Sequence, residues 1–221
     1  MNLVKDDKEY ERICSSFNDL LDGKKLSESG SPALALHRVR LESKNVVDGE
    51  SSSVNEVLDW ISRYYNLLDD LPVKYFLVKA KHVCFEDLDR LEWEDILRND
   101  FTAEEMECIP KGEYHIYERL RECGVLLSED EFDELPDKCY RIFQHNGALP
   151  DSIRALIELI LLNRVYGELC IFEPEMKVVA IPNRFEGFTF LAEQESDGSS
   201  FINQSLGYLL DDPNIVSVDG K

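Results

Sequence analysis

The chain has 221 residues, 43% hydrophobic and 10% aromatic, which is enough for a substantial core and excludes wholesale disorder despite 31% charged residues. Its net charge of −21 disfavours direct binding to nucleic-acid phosphate or an anionic membrane surface, because both need a basic field. The excess is uneven: residues 86–137 hold 19 acids and 5 bases, a net of −14, against −2 for residues 1–85 and −5 for residues 138–221.

In chain order, residues 6–22 read as an amphipathic helix, with Tyr10, Ile13, Cys14, Phe17, Leu20 and Leu21 at helical spacing and Gly23 as a stop. Residues 33–41 fit a helix or a strand equally. Residues 48–53 read as a flexible linker, after which Ser53-Val54-Asn55-Glu56 forms a capping box for a helix that Pro72 closes. Residues 73–83 fit a strand, and Lys74, Lys79 and Lys81 make a small basic cluster on it. Within the acidic segment, short helices are expected around residues 88–97, after the capping box Thr102-Ala103-Glu104-Glu105, before Gly124, and from Ser128-Glu129-Asp130-Glu131. A further short helix is expected at residues 139–144. Asp151 or Ser152 then caps the most hydrophobic helix, residues 153–165, expected at the centre of the core and stopped by Gly167. Residues 168–173 and 176–181 read as a hairpin, residues 187–193 as a third strand, and residues 202–210 as a last helix.

These elements predict an α+β protein, mainly helical, with a small antiparallel sheet near the C-terminus. The expected division is an N-terminal helical segment (1–48), a main domain (53–210) and an acidic tail (211–221). Across residues 112–182 the order of helices followed by a hairpin is shared with winged-helix domains. Residues 153–165 carry Arg154 and Arg164 amid acids and apolar side chains, so such a module would serve protein contacts rather than DNA reading.

Signatures of chemistry are scarce. Cys14, Cys84, Cys108, Cys123, Cys139 and Cys170 are scattered without a C-x-x-C pair, and Cys108, His115, Cys123, Cys139 and His145 do not fall at zinc-site spacing. Reduced thiols, no metal and no cofactor are therefore expected. Glu173-Pro174-Glu175-Met176-Lys177 resembles the tail of the PD-(D/E)xK nuclease signature, but Pro174 interrupts the strand that motif requires, and a hairpin turn explains the residues. No Gly-x-Ser-x-Gly elbow or glycine-rich phosphate loop occurs. The stretch 153–165 is too short to span a bilayer, and Met1–Asp7 lacks an apolar signal region, so a cytoplasmic location without membrane attachment is expected.

The function these features favour is a non-catalytic protein–protein interaction protein, an accessory or regulatory subunit of a larger intracellular assembly. Its partner would present a basic surface, met by acids such as Glu92, Asp95 and Glu104. An acidic inhibitor or immunity protein that mimics DNA before a basic nucleic-acid enzyme is the second reading. A hydrolase built from residues scattered in sequence is the third.

Overall fold

A computed structural model describes residues 1–21, 36–43, 64–82, 119–136, 139–161, 165–183, 187–210 and 215–217. Eight strands form one sheet: β1 (Asn2–Leu3), β2 (Leu36–Ser43), β3 (Val73–His82), β4 (Arg141–Asn146), β5 (Val165–Glu173), β6 (Val178–Asn183), β7 (Gly187–Glu193) and β8 (Ile215–Ser217). Their spatial order is β1-β4-β3-β5-β6-β7-β2-β8, and every pairing is antiparallel. Around the sheet lie α1 (Asp7–Leu21), α2 (Glu129–Glu134), α3 (Asp151–Leu161) and α4 (Asp197–Leu210), together with the helical residues 64–69.

The sheet overturns the expectation of a mainly helical protein with a small C-terminal sheet. Strands drawn from Asn2 through Ser217 enter it. The largest single error concerns residues 139–144, expected as a helix. Here Arg141–Asn146 is a strand between β1 and β3. Ile142 and Phe143 are adjacent in sequence yet lie in two different cores. The two buried residues are adjacent and flanked by polar Arg141, Gln144, His145 and Asn146, so no apolar–polar alternation appears and the sequence reads equally well as a helix. With β4 in place, residues 112–182 do not have the winged-helix order.

Period-two alternation sorts side chains onto the two faces. On β3, Phe76, Val78 and Ala80 join the larger core beneath α3 and residues 64–69, whereas Tyr75 and Leu77 join a second core beneath α1. α1 contributes Ile13, Phe17 and Leu20 to that second core, and the Asp6 carboxylate caps it by accepting from the Glu9 amide at 2.9 Å. α3 buries Ile153, Leu156, Ile157, Leu159, Ile160 and Leu161. It is the central helix the sequence predicts, but it ends at Leu161, and Val165 already belongs to β5. Gly167 does not stop a helix. It lies inside β5 at φ 129°, opposite Ala80, where a Cβ would stand 2.1 Å from the Lys79 carbonyl oxygen.

A polar knot fixes the larger layer to the sheet. The Lys74 side chain has no exposure, and its ammonium donates to the carbonyls of Asp69 (3.1 Å), Leu71 (2.5 Å) and Gly147 (2.5 Å). Three donors meet three acceptors. Burial nevertheless lowers the Lys74 pKa, against the opposing pull of Asp69 and Asp70. Asp69 also accepts from the Leu149 amide at 2.6 Å and pairs with Arg154 at 2.8 Å. Arg154 stacks its guanidinium over the Tyr65 ring at 4.9 Å, and the Tyr65 hydroxyl donates to Glu158 at 2.9 Å. Beyond the knot, Tyr64 stacks on Phe188 of β7 with ring centroids 4.9 Å apart. Among the described residues, no helix is long and apolar enough to cross a membrane.

Two substitutions test this layer. Leu156→Ala should cost about 2–5 kcal/mol, the range for emptying a buried leucine site. Lys74→Met keeps the volume but leaves the Leu71 and Gly147 carbonyls without a donor, which should cost on the order of 2–4 kcal/mol. Urea unfolding measures both. A loss within a few tenths of a kcal/mol at Lys74 would mean that the ammonium's burial cancels its hydrogen bonds.

Candidate functional site

Glu92, Asp95 and Glu104, the acids singled out as a partner surface, lie outside the described residues, as do both expected capping boxes at Ser53 and Thr102. What the structure describes of the acidic segment is residues 119–136. Its centre is α2, whose six residues include Glu129, Asp130, Glu131, Asp133 and Glu134 and bury none of their side chains. A helix this short, with no apolar anchor, needs other support.

That support is polar and local. The capping box expected at Ser128 forms: the Glu131 amide donates to the Ser128 hydroxyl at 3.3 Å, and the Ser128 amide donates to the Glu131 carboxylate at 2.8 Å. Cations from the neighbouring strands complete it. Lys79 donates to the carbonyls of Leu135 (2.9 Å) and Pro136 (3.3 Å) at the helix's C-terminal end, where a cation also suits the dipole. Lys81 pairs with Glu129 at 3.0 Å and Asp133 at 3.7 Å, and Arg141 pairs with Glu131 at 2.6 Å. Both ammonium groups lie over the Phe132 ring, at 5.1 and 5.2 Å. The basic cluster read along residues 74–81 is thereby divided. Lys74 points to the larger core, while Lys79 and Lys81, at odd positions, point to the opposite face and hold α2.

These contacts leave an acidic and aromatic surface. Asp130 and Glu134 have no ion-pair partner among the described residues. Phe132 meets Tyr166 edge-on, with ring centroids 5.6 Å apart. Tyr166 is 52% exposed and is paired in register with Lys81 across β3 and β5. Two residues further along β5 stands Glu168, exposed, accepting from the Tyr140 hydroxyl at 2.9 Å. Glu131 itself is held below the usual carboxylate range, first by the Ser128 amide and then by Arg141. Reading the sequence singled out Ser128 and Glu131 as a cap. It missed Tyr166, because exposure of one tyrosine in an apolar strand leaves no periodic signal.

The nuclease-like residues resolve into a turn. Glu173 ends β5 with no exposure, and its Oε2 accepts the amide of Met176, with the Glu175 amide also favouring the charged carboxylate. Its Oε1 is buried without a hydrogen-bond partner. Burial raises its pKa, and the charge of Glu175 adds to this, while the two amides work against it. Gly198 at the start of α4 packs so closely on this turn that a Cβ there would lie 2.2 Å from the Met176 carbonyl oxygen. Lys177 does not join Glu173 but pairs with Glu193 at 2.6 Å. Among the described residues, no three His, Cys, Asp or Glu side chains are placed to hold a metal ion.

Comparison with known proteins gives no match to any protein-family model, curated protein or solved structure.

Two outcomes follow from this geometry. Ser128→Ala removes the cap of a helix with no buried side chain, and should cost about 1 kcal/mol, read as faster hydrogen exchange confined to residues 128–136. For Glu173, the folded chain holds its proton more tightly than the unfolded chain does. Its contribution to stability is therefore intact below the ordinary carboxylate range and is lost as pH rises through the raised folded value. Glu173→Gln removes that titration. Its stability relative to the parent should climb between pH 4 and pH 7 in urea unfolding, and a pH-independent difference would contradict a raised pKa.

Proposed function

We propose that this chain is a non-catalytic interaction protein, a subunit of a larger cytoplasmic assembly, whose acidic surface around α2 receives a basic protein partner. The observation that carries the reading is α2 itself. Five acids in six residues stand on the surface with no buried side chain, and the cations that meet them come from the chain's own strands. Asp130 and Glu134 extend that field outward, and Tyr166 offers a half-exposed ring beside it. Tyrosine next to carboxylates suits lysine and arginine, which use a ring face and a carboxylate together. Glu92, Asp95 and Glu104 belong to the same acidic run of sequence and are tested with it.

The test begins with the partner that co-purifies with the full chain. Reversing Asp130, Glu134, Glu92, Asp95 and Glu104 to Lys should slow association roughly tenfold or more and flatten its salt dependence, because charges at an interface rim act mainly on encounter. Tyr166→Ala should instead speed dissociation. Association rate, salt slope and dissociation rate all unchanged would assign the acids to solvation and overturn the proposal.

A further inference from the structure

The turn between β4 and α3 carries chemistry that neither the cores nor the acidic surface uses. Asn146 ends β4 and pairs with Val73 at the last step of the β3–β4 ladder. Of the chain's asparagines it alone is followed by glycine. Asn146, Gly147 and Ala148 are all exposed, and a Cβ built on Gly147 would meet nothing within 4 Å. Water therefore reaches the turn, and no side chain crowds the Gly147 amide nitrogen. The same turn is built into the polar knot. The Gly147 carbonyl accepts from Lys74 at 2.5 Å, and the Leu149 amide donates to Asp69 at 2.6 Å. Between them, the His145 Nε2 donates to the Ala148 carbonyl at 2.8 Å and closes the loop around Asn146 and Gly147. Its path therefore fixes where the Gly147 carbonyl meets the ammonium. Asp197-Gly198 has the same residue type before glycine, but it lies in α4 with Gly198 pressed on the Met176 carbonyl, without such room.

We propose that Asn146 is a site of spontaneous deamidation whose isoaspartyl product draws the Gly147 carbonyl off Lys74 and loosens the polar knot. Asparagine is a labile residue, and its side-chain amide is one backbone bond away from the nucleophile. The Gly147 amide nitrogen attacks the Asn146 side-chain carbonyl carbon. A carbon–nitrogen bond forms, the bond to the side-chain nitrogen breaks, and that nitrogen leaves as ammonia with the proton given up by Gly147. Water then opens the succinimide ring at one of its two carbonyls. Opening at the side-chain carbonyl gives aspartate on an unaltered backbone. Opening at the main-chain carbonyl gives isoaspartate, in which the backbone runs through Cβ. No electrons are transferred, and the net change is amide plus water to acid plus ammonia. The added backbone carbon falls just before Gly147, inside the loop that His145 and Ala148 close, so the Gly147 carbonyl cannot keep both its neighbours and its donor. Closing the ring disturbs only the last pair of the ladder.

The full chain is aged in warm, mildly alkaline buffer beside Asn146→Gln, and its tryptic peptides are followed by mass spectrometry. The mass gain of amide to acid should appear in peptide 142–154 before any other asparagine-containing peptide, with isoaspartate exceeding aspartate. The isoaspartyl chain, separated by ion exchange on its added charge, should melt roughly 4–8 °C below the parent, as expected when a buried acceptor loses its donor. Asn146→Asp, which adds the charge on an unaltered backbone, should melt close to the parent, and aged Asn146→Gln should keep its Tm. Lys74→Met already lacks the donor, so conversion should cost it little more. The mapping and melting of the unsubstituted chain do not depend on how the variants fold. Asn146 intact after other asparagines have converted, an isoaspartyl chain that melts with the parent, or an equal further loss in Lys74→Met would overturn the proposal.

Discussion

The Lys74 ammonium, withdrawn from water and shared among three carbonyls, is the constraint on which the larger layer depends. Its acceptors come from the end of the helical residues 64–69, from the approach to β3, and from the turn between β4 and α3. The β3–β4 ladder ends beside this point, at Val73 and Asn146, and beyond it the cation ties the three pieces together. Asp69 reinforces the arrangement from the other side, because its two oxygens take the Leu149 amide and the Arg154 guanidinium. Arg154 and Glu158 then orient Tyr65. The knot therefore ties α3 to the sheet by directional contacts that accompany its apolar packing. A buried charge is a costly way to do this, and specificity of packing is what such groups supply when all their donors are met.

Electrostatics holds α2, on the other face of β3, by different means. α2 contributes nothing to either core, and its attachments are surface ion pairs, a cap and two cation–ring contacts, each worth about 1 kcal/mol or less. The sum is small beside the apolar burial of α3. α2 is accordingly a piece of the described structure that opens at low cost, and it is also dense in acids. The coupling is physical: residues chosen for charge cannot also anchor a helix in a core.

How much of this the sequence discloses follows from the range of each interaction. α1, α3 and the strands β5, β6 and β7 are legible because their signals are local, in the spacing of Ile13, Phe17 and Leu20, the apolar run of α3, and the break at Pro174. The sheet is not legible, because β2 lies beside β7 and β3 lies between β4 and β5, and no local pattern encodes neighbours that far apart in sequence. β4 fails for a sharper reason, since its only two buried residues, Ile142 and Phe143, are adjacent and face opposite sides, which leaves no alternation. At the candidate surface the cap of Ser128 and Glu131 is legible as a four-residue motif. The cations that complete it are not, because Lys79 and Lys81 approach from β3 and Arg141 from β4. Nor does the sequence show that Lys74, five residues before Lys79, faces the other way; only its assignment to a strand makes parity decisive.

That parity also qualifies what the charge excess can do. Of the five acids on α2, Glu129, Glu131 and Asp133 already meet a cation of the chain. An incoming basic group would have to displace Lys81 or Arg141 to use them, exchanging one surface pair for another with little net gain. Among the described residues, the α2 acids left without a cation of the chain are Asp130 and Glu134, so they, rather than Glu129, Glu131 and Asp133, supply the field of α2. At physiological ionic strength such charges act together only within about 8 Å. A partner would consequently be drawn to the outer face of α2 and held there by whatever it makes of Tyr166, with Lys79 and Lys81 staying beneath Phe132. On the proposed reading charge would govern arrival and the ring would govern residence, and the two are separable because they sit on different elements, α2 and β5.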